Sequence, residues 1–168
     1  RKRQKHPVMY TGIIALLLAA AVAAAGMNIY FDEIFPKEIT TEIIAHRGGG
    51  SEGHENTVSG LKTAIREGAY GSEIDIQRTA DGYYVINHDN NFQRMAGVKR
   101  RVDEMTLEEI KQLRLYEIED YSWDEVPTLE EMLEAARDNI MLFVELKGPT
   151  ADLWMADEAV PIVKDMGM

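Results

Sequence analysis

Residues 43–50 read Ile-Ile-Ala-His-Arg-Gly-Gly-Gly, and the fold hangs on them. An apolar run stopped by a histidine and three glycines makes a short buried strand that delivers His46 to its carboxyl end. A helix follows: across residues 57–67 (TVSGLKTAIRE), Val58, Leu61, Ala64 and Ile65 recur at helical spacing, with Asn56 or Thr57 as the cap and Gly68 just past the end. Strand, glycine loop and helix in that order open a βα unit. Residues 73–78 (EIDIQR) then alternate, with Glu73, Asp75 and Gln77 on one face and Ile74 and Ile76 on the other. Asp81-Gly82 predicts a two-residue hairpin turn into residues 83–86 (YYVI), a register that sets Asp75 opposite His88.

Further along, Thr106-Leu107-Glu108-Glu109 and Thr128-Leu129-Glu130-Glu131 are capping boxes, opening helices predicted to run to Leu113 and Arg137. Residues 140–147 (IMLFVELK) form a near-continuous apolar run, the pattern of a strand buried on both faces of a parallel sheet, ending in Glu145 and Lys147. One more helical pattern spans 151–166, interrupted or restarted at Pro161. Strands alternating with helices, and reactive side chains at strand ends, define an α/β chain and point to a (β/α) barrel. Such barrels take about 250 residues, so residues 42–168 are expected to hold roughly the amino-terminal half of one.

The beginning of the chain has a different character. Residues 7–31 carry no charge and are long enough as a helix to cross the roughly 30 Å of a bilayer core. Arg1, Lys2, Arg3 and Lys5 precede this stretch, and Asp32 and Glu33 follow it. The organisation read from this is a cytoplasmic basic flank at 1–6, a transmembrane helix at 7–31, a tether at 32–41 and a partial barrel domain at 42–168. By the positive-inside rule the domain lies outside the cytoplasm, held to the cell membrane by the helix. The rival reading is a signal peptide with its apolar region at 13–25, cut near Ala23-Ala24-Ala25 to release a secreted domain. With four of the eighteen basic residues in the flank, fourteen face twenty-nine acids in the rest, which argues against nucleic acid as a partner. The chain has no cysteine, so disulfides and thiolate metal sites are excluded.

Glu73 and Asp75, two apart on one strand face, can reach one cation from the same side, and Glu145 at another strand end could supply a third ligand. An all-carboxylate set favours a hard divalent ion, Ca²⁺ or Mg²⁺. The plain alternative for the pair is the solvated face of an edge strand. His46 and His88, both at strand ends and both followed by turn-formers, could divide the proton transfers of a displacement. Each taken singly is an ordinary core or surface histidine. Arg47 and Lys147 could offset phosphate charge, and Gly48–Gly50 could let the backbone approach an anion. Glu55 could orient Arg47 or touch the metal, and Asn56 could be only a helix cap. His6 and His54 receive no role.

Taken together, HRGG at His46 to Gly49, ENT at Glu55 to Thr57, E-x-D at Glu73 and Asp75, D-G at Asp81 and Gly82, HD at His88 and Asp89, PTLEE at Pro127 to Glu131 and E-x-K at Glu145 to Lys147 resemble the glycerophosphodiester phosphodiesterase family. The resemblance implies a TIM-barrel hydrolase with His46 and His88 as general acid and base. It also implies Glu73, Asp75 and Glu145 as ligands of a divalent cation, and a small glycerophosphodiester as the substrate, cleaved to an alcohol and glycerol 3-phosphate. The alternatives are a phospholipase-like phosphodiesterase acting on intact lipid head groups and a non-catalytic module that binds a metal or anion. His54 stands where the family usually has proline before Glu-Asn.

Overall fold

The computed structural model describes residues 7–34, 41–116 and 123–168. The expected basic flank 1–6 lies outside the described residues, as do residues 35–40 of the expected tether. The chain divides into two compact units, Arg1–Thr41 and Glu42–Met168. In the first, helix α1 (Pro7–Ile34) is 28 residues long, about 42 Å at the usual rise, and extends past the apolar stretch through Asp32 and Glu33. Between Tyr10 and Met27 its large apolar side chains, among them Ile13, Leu16, Leu17 and Val22, are exposed. This surface is the reverse of a soluble core helix.

The second unit is built on a sheet centred on β2 (Gly71–Arg78). Strand β1 (Ile44–Ala45) runs parallel to its start, β3 (Tyr84–Ile86) antiparallel to its end, and β8 (Met141–Leu146) parallel along Gly71 to Ile76. The alternation of β2 is realised in space. Ile74 and Ile76 are fully buried against the helices, whereas Glu73, Asp75 and Gln77 point to the opposite face.

The hairpin differs from the two-residue expectation. Ile76 pairs with Ile86 and Arg78 with Tyr84, and the backbone N–H of Asn87, not of His88, donates to the Asp75 carbonyl at 2.9 Å. The register is one residue short of the expected one because Thr79 closes a three-residue loop. Its Oγ1 accepts from Tyr83 N and donates to Asp81, and Gly82 takes a left-handed φ of 91°.

Helix α2 (Val58–Arg66) starts at Thr57, whose hydroxyl accepts from Gly60 N, and α5 (Leu129–Ala136) starts at Thr128 in a complete capping box with Glu131. Helix α6 (Leu153–Asp165) begins at the Asp152 cap and carries Pro161 without interruption. Leu61, Leu129, Met132, Leu133 and Met155 from these helices pack on Ile74, Ile76, Tyr84 and Ile86 to make the main core. Between β3 and α5 the chain makes an excursion: β4 (Asn91–Phe92), α3 (Gln93–Ala96), β5 (Val98–Arg101), α4 (Leu107–Lys111), β6 (Leu115–Tyr116) and β7 (Trp123–Asp124). It has its own core of Phe92, Val102, Met105, Ile110, Leu115 and Val126, into which β3 turns Val85.

Strand β8 departs from its expected burial on both faces. Met141, Phe143 and Val144 are exposed, because among the described residues β8 pairs with β2 alone.

Candidate active site

The β1 strand and β3 lie in succession along one edge of β2, and the loops carrying His46 and His88 enter beside Glu73 to Asp75, the stretch with which neither strand pairs. Arg47 holds a left-handed φ of 53°. That conformation turns its N–H onto the Glu73 carboxylate at 2.8 Å, while its carbonyl accepts from Asn56 N at 2.7 Å. Gly48 N donates to the Glu73 carbonyl at 2.7 Å, and Ser72 Oγ donates to the Gly48 carbonyl at 2.7 Å. The HRGG loop is therefore laced to the strand that carries the carboxylates. Gly49 is needed for chain packing: a Cβ there would come 2.9 Å from Gly60 Cα, and one on Gly60 would overlap the His54 carbonyl.

Oxygens of Glu73, Asp75 and Glu145 lie within 4.8 Å of one another, and the parallel register places Asp75 beside Glu145. Glu73 Oε1 and Asp75 Oδ1 are buried without a hydrogen-bond donor. Oxygens left so are costly unless something else takes their lone pairs, and a hard divalent cation fits this donor set. Burial, reinforced by the neighbouring Asp75 and Glu145 charges and opposed by the Arg47 N–H, pushes the Glu73 carboxyl up. Asn56 clamps Asp75 from behind: its Nδ2 donates to Asp75 Oδ2 at 2.9 Å and its Oδ1 accepts from Asp75 N at 3.3 Å. It is thus no helix cap, since Thr57 fills that role. Lys147 Nζ sits 2.7 Å from Glu145 and 3.7 Å from Asp75, so it balances the carboxylates; its hydrogen bond lowers the Glu145 carboxyl and raises its own amine.

His46 is largely exposed, its Nε2 3.9 Å from Glu73 Oε2. His88 is more enclosed, with Nε2 3.0 Å from Arg47 Nη2 and Nδ1 2.9 Å from Asp89 Oδ1. A guanidinium can only donate, so Nε2 presents its lone pair and Nδ1 carries the proton given to Asp89. Gln77, fully buried, donates through Nε2 to the carbonyls of Asn87 at 2.6 Å and Asp89 at 2.7 Å, on either side of His88. Arg94 bridges Asp89 and Glu55, and Glu55 in turn holds Arg47 Nη1 at 3.1 Å. Glu55 thus orients Arg47. Burial alone would raise Glu55, but Arg94 and Arg47 outweigh it and hold the carboxyl below its usual range. A cleft of about 630 Å³ opens beside His88, Asp89, Arg94 and Lys147. A hollow of about 720 Å³ lies on the helix side against Lys62, Glu130 and Glu134, away from these groups.

The sequence pattern places Gln77 on the carboxylate face, but its partners, the carbonyls of Asn87 and Asp89, lie beyond the hairpin and are invisible to periodicity. Arg94 carries no signal at all, because its partners Glu55 and Asp89 are joined to it only by folding.

The family model for glycerophosphoryl diester phosphodiesterases matches residues 46–167. Among relatives, a Bos taurus glycerophosphodiester phosphodiesterase 1 is 36% identical over 147 residues, covering 83% of this chain and 44% of its own. A Caldanaerobacter subterraneus glycerophosphodiester phosphodiesterase is 37% identical over 110 residues, 64% of this chain and 45% of its own. Among solved structures, a glycerophosphodiester phosphodiesterase from Agrobacterium tumefaciens superposes with a TM-score of 0.69 at 29% identity, covering 77% of this chain and 55% of that one. An Oleispira antarctica phosphodiesterase in complex with the product sn-glycerol-3-phosphate gives 0.64 at 29% identity, covering 75% and 51%. The chain spans a third to just under half of the length of the curated relatives it matches.

Proposed function

Because this chain belongs to the glycerophosphoryl diester phosphodiesterase family, we propose that the protein hydrolyses glycerophosphodiesters to an alcohol and glycerol 3-phosphate. His46 and His88 are the acid-base pair, and Glu73, Asp75 and Glu145 hold a divalent cation, Ca²⁺ or Mg²⁺. The observation that carries the reading is the meeting, on one face of β2 and β8, of three carboxylates that include two buried oxygens without a hydrogen-bond donor, beside a histidine whose Nε2 lone pair faces the Arg47 guanidinium. When bound, the cation supplies charge to polarise the phosphate and stabilise the displacement.

The chain's own groups do the rest. The substrate phosphate competes with His88 for the Arg47 guanidinium, and as Arg47 turns to it, His88 Nε2 is freed to take the proton of the attacking hydroxyl. Asp89 holds the resulting imidazolium through Nδ1. The nucleophile's oxygen bonds to phosphorus, the ester P–O bond breaks, and exposed His46 gives its proton to the departing alkoxide. Lys147 offsets the negative charge gathered at the site. The nucleophile is water, which gives glycerol 3-phosphate directly, or the neighbouring glycerol hydroxyl, which gives a cyclic phosphate that a second attack, by water, opens to glycerol 3-phosphate; a substrate lacking that hydroxyl is inert under the second route.

In the intact protein the α1 helix anchors the domain to the cell membrane on its outer side, and the α/β unit is the amino-terminal half of a (β/α) barrel. The exposed apolar α1 also favours a second reading, cleavage of intact lipid head groups, which assays on lysophospholipid vesicles would separate from the first. In the full-length protein, hydrolysis of glycerophosphocholine should require Ca²⁺ or Mg²⁺, stop with EDTA and collapse in His46→Ala and His88→Ala. Activity that survives both substitutions sinks the mechanism. A cysteine placed near Asp32 should react with an impermeant reagent on intact cells, and protection there would reverse the orientation.

A further inference from the structure

We propose that Arg94 is a positioning residue of this site: its guanidinium joins Glu55 to Asp89 and so fixes Arg47 and His88 in register without touching substrate. The proposal rests on the phosphodiesterase reading, since it concerns how His88 and Arg47 are held for that reaction.

The guanidinium has five N–H groups, and each has a protein acceptor. Nε donates to Asp89 Oδ2 at 2.8 Å, and Nη2 to Asp89 Oδ1 at 3.2 Å and to Glu55 Oε1 at 2.6 Å. Nη1 donates to Glu55 Oε2 at 2.8 Å and lies 3.0 Å from Met95 Sδ. No donor is left for a ligand, even though the side chain is 47% exposed beside the cleft.

The two carboxylates pass the constraint on. Glu55 Oε1 takes Arg47 Nη1, Asp89 Oδ1 takes His88 Nδ1, and Arg47 Nη2 on His88 Nε2 closes a ring of five side chains. The ring decides the His88 tautomer. With Asp89 held in place, the neutral imidazole keeps its proton on Nδ1 and its lone pair on Nε2, the form a base at that position needs. Removing Arg94 leaves two carboxylates facing each other with no cation between them. Each then turns away, and Asp89 abandons Nδ1. Lysine restores the charge but not the fork that grips both carboxylates at once.

The test compares wild type, Arg94→Met and Arg94→Lys in the full-length protein, reading kcat and KM on glycerophosphocholine and the His88 tautomer from nitrogen-15 spectra of histidine-labelled protein. Arg94→Met should lower kcat about a hundredfold and keep KM within about threefold, with loss of the Nδ1–H form; Arg94→Lys should recover part of the rate. A raised KM at unchanged kcat would make Arg94 a substrate contact and overturn the proposal, as would an unchanged rate and tautomer. A wild type inactive on every glycerophosphodiester defeats the phosphodiesterase reading instead, and the tautomer in Arg94→Met still decides the role of Arg94. Should Arg94→Met fail to fold, a folded Arg94→Lys with wild-type kcat overturns the proposal, and one with reduced kcat at native KM supports it.

Discussion

At the scale of single residues, the site depends on side chains that hold other side chains. Asn56 makes two hydrogen bonds to Asp75 and leaves one Asp75 oxygen free for a cation. Asn56→Ala should therefore weaken divalent-ion binding by about 10- to 100-fold, measured by isothermal titration with Ca²⁺ and Mg²⁺. Asp89 gives a pH signature. Hydrogen bonds from Arg94 and then His88, with their charges, bring its carboxyl from an ordinary 3.8 down to about 2. A carboxyl depressed by folding stabilises the protein above its unfolded value, and that contribution disappears as pH falls through the folded one. The stability advantage of wild type over Asp89→Asn should thus be constant at neutral pH and shrink between about pH 4 and about pH 2, read by urea unfolding across that range. The candidate ligands and both histidines could be singled out in the sequence because Glu73 and Asp75 alternate along one strand face and His46, His88 and Glu145 follow apolar runs. The left-handed Arg47 that ties them together was not, because nothing in an HRGG string reveals which residue takes the positive φ.

At the scale of elements, caps and close approaches govern. Thr128 closes a capping box with Glu131 on α5, whose Leu129, Met132, Leu133 and Ala136 are core residues. Thr128→Ala should cost about 1 kcal/mol of stability, measured by chemical denaturation. Gly60 in α2 reverses a common expectation. Alanine in a helix gains about 1 kcal/mol over glycine, yet here a Cβ would overlap the His54 carbonyl. Gly60→Ala should instead destabilise by about 1–3 kcal/mol, visible as a lower denaturation midpoint. The starts of α2, α4 and α5 were legible to within a residue because capping threonines are local chemistry, whereas α6 begins two residues after the expected 151. The β2–β3 register was not, since a Thr79 hydroxyl and the left-handed Gly82 decide the loop length, and Asp-Gly suits both a two- and a three-residue turn.

At the scale of the whole molecule, the chain divides into two compact units, each described by its own packing. Every residue of the two hydrophobic cores lies beyond Thr41, and between Tyr10 and Met27 α1 keeps its large apolar side chains exposed. Removing residues 1–41 should accordingly leave the melting temperature of Glu42–Met168 within about 2 °C of the parent chain, by calorimetry in detergent. A larger drop would mean that the units share stability. The sequence alone determined the apolar helix, the βα order, the helix starts and the identity of the carboxylates and histidines, because periodicity, capping and composition are written in neighbouring residues. Only the tertiary structure decided that Asn56 serves Asp75, that Gln77 and Arg94 hold the His88 turn, that Lys147 balances carboxylates and that β8 stays exposed. Those outcomes join residues up to 70 or more positions apart, and a hydrogen bond or a strand edge exists only once the chain has brought its two sides together.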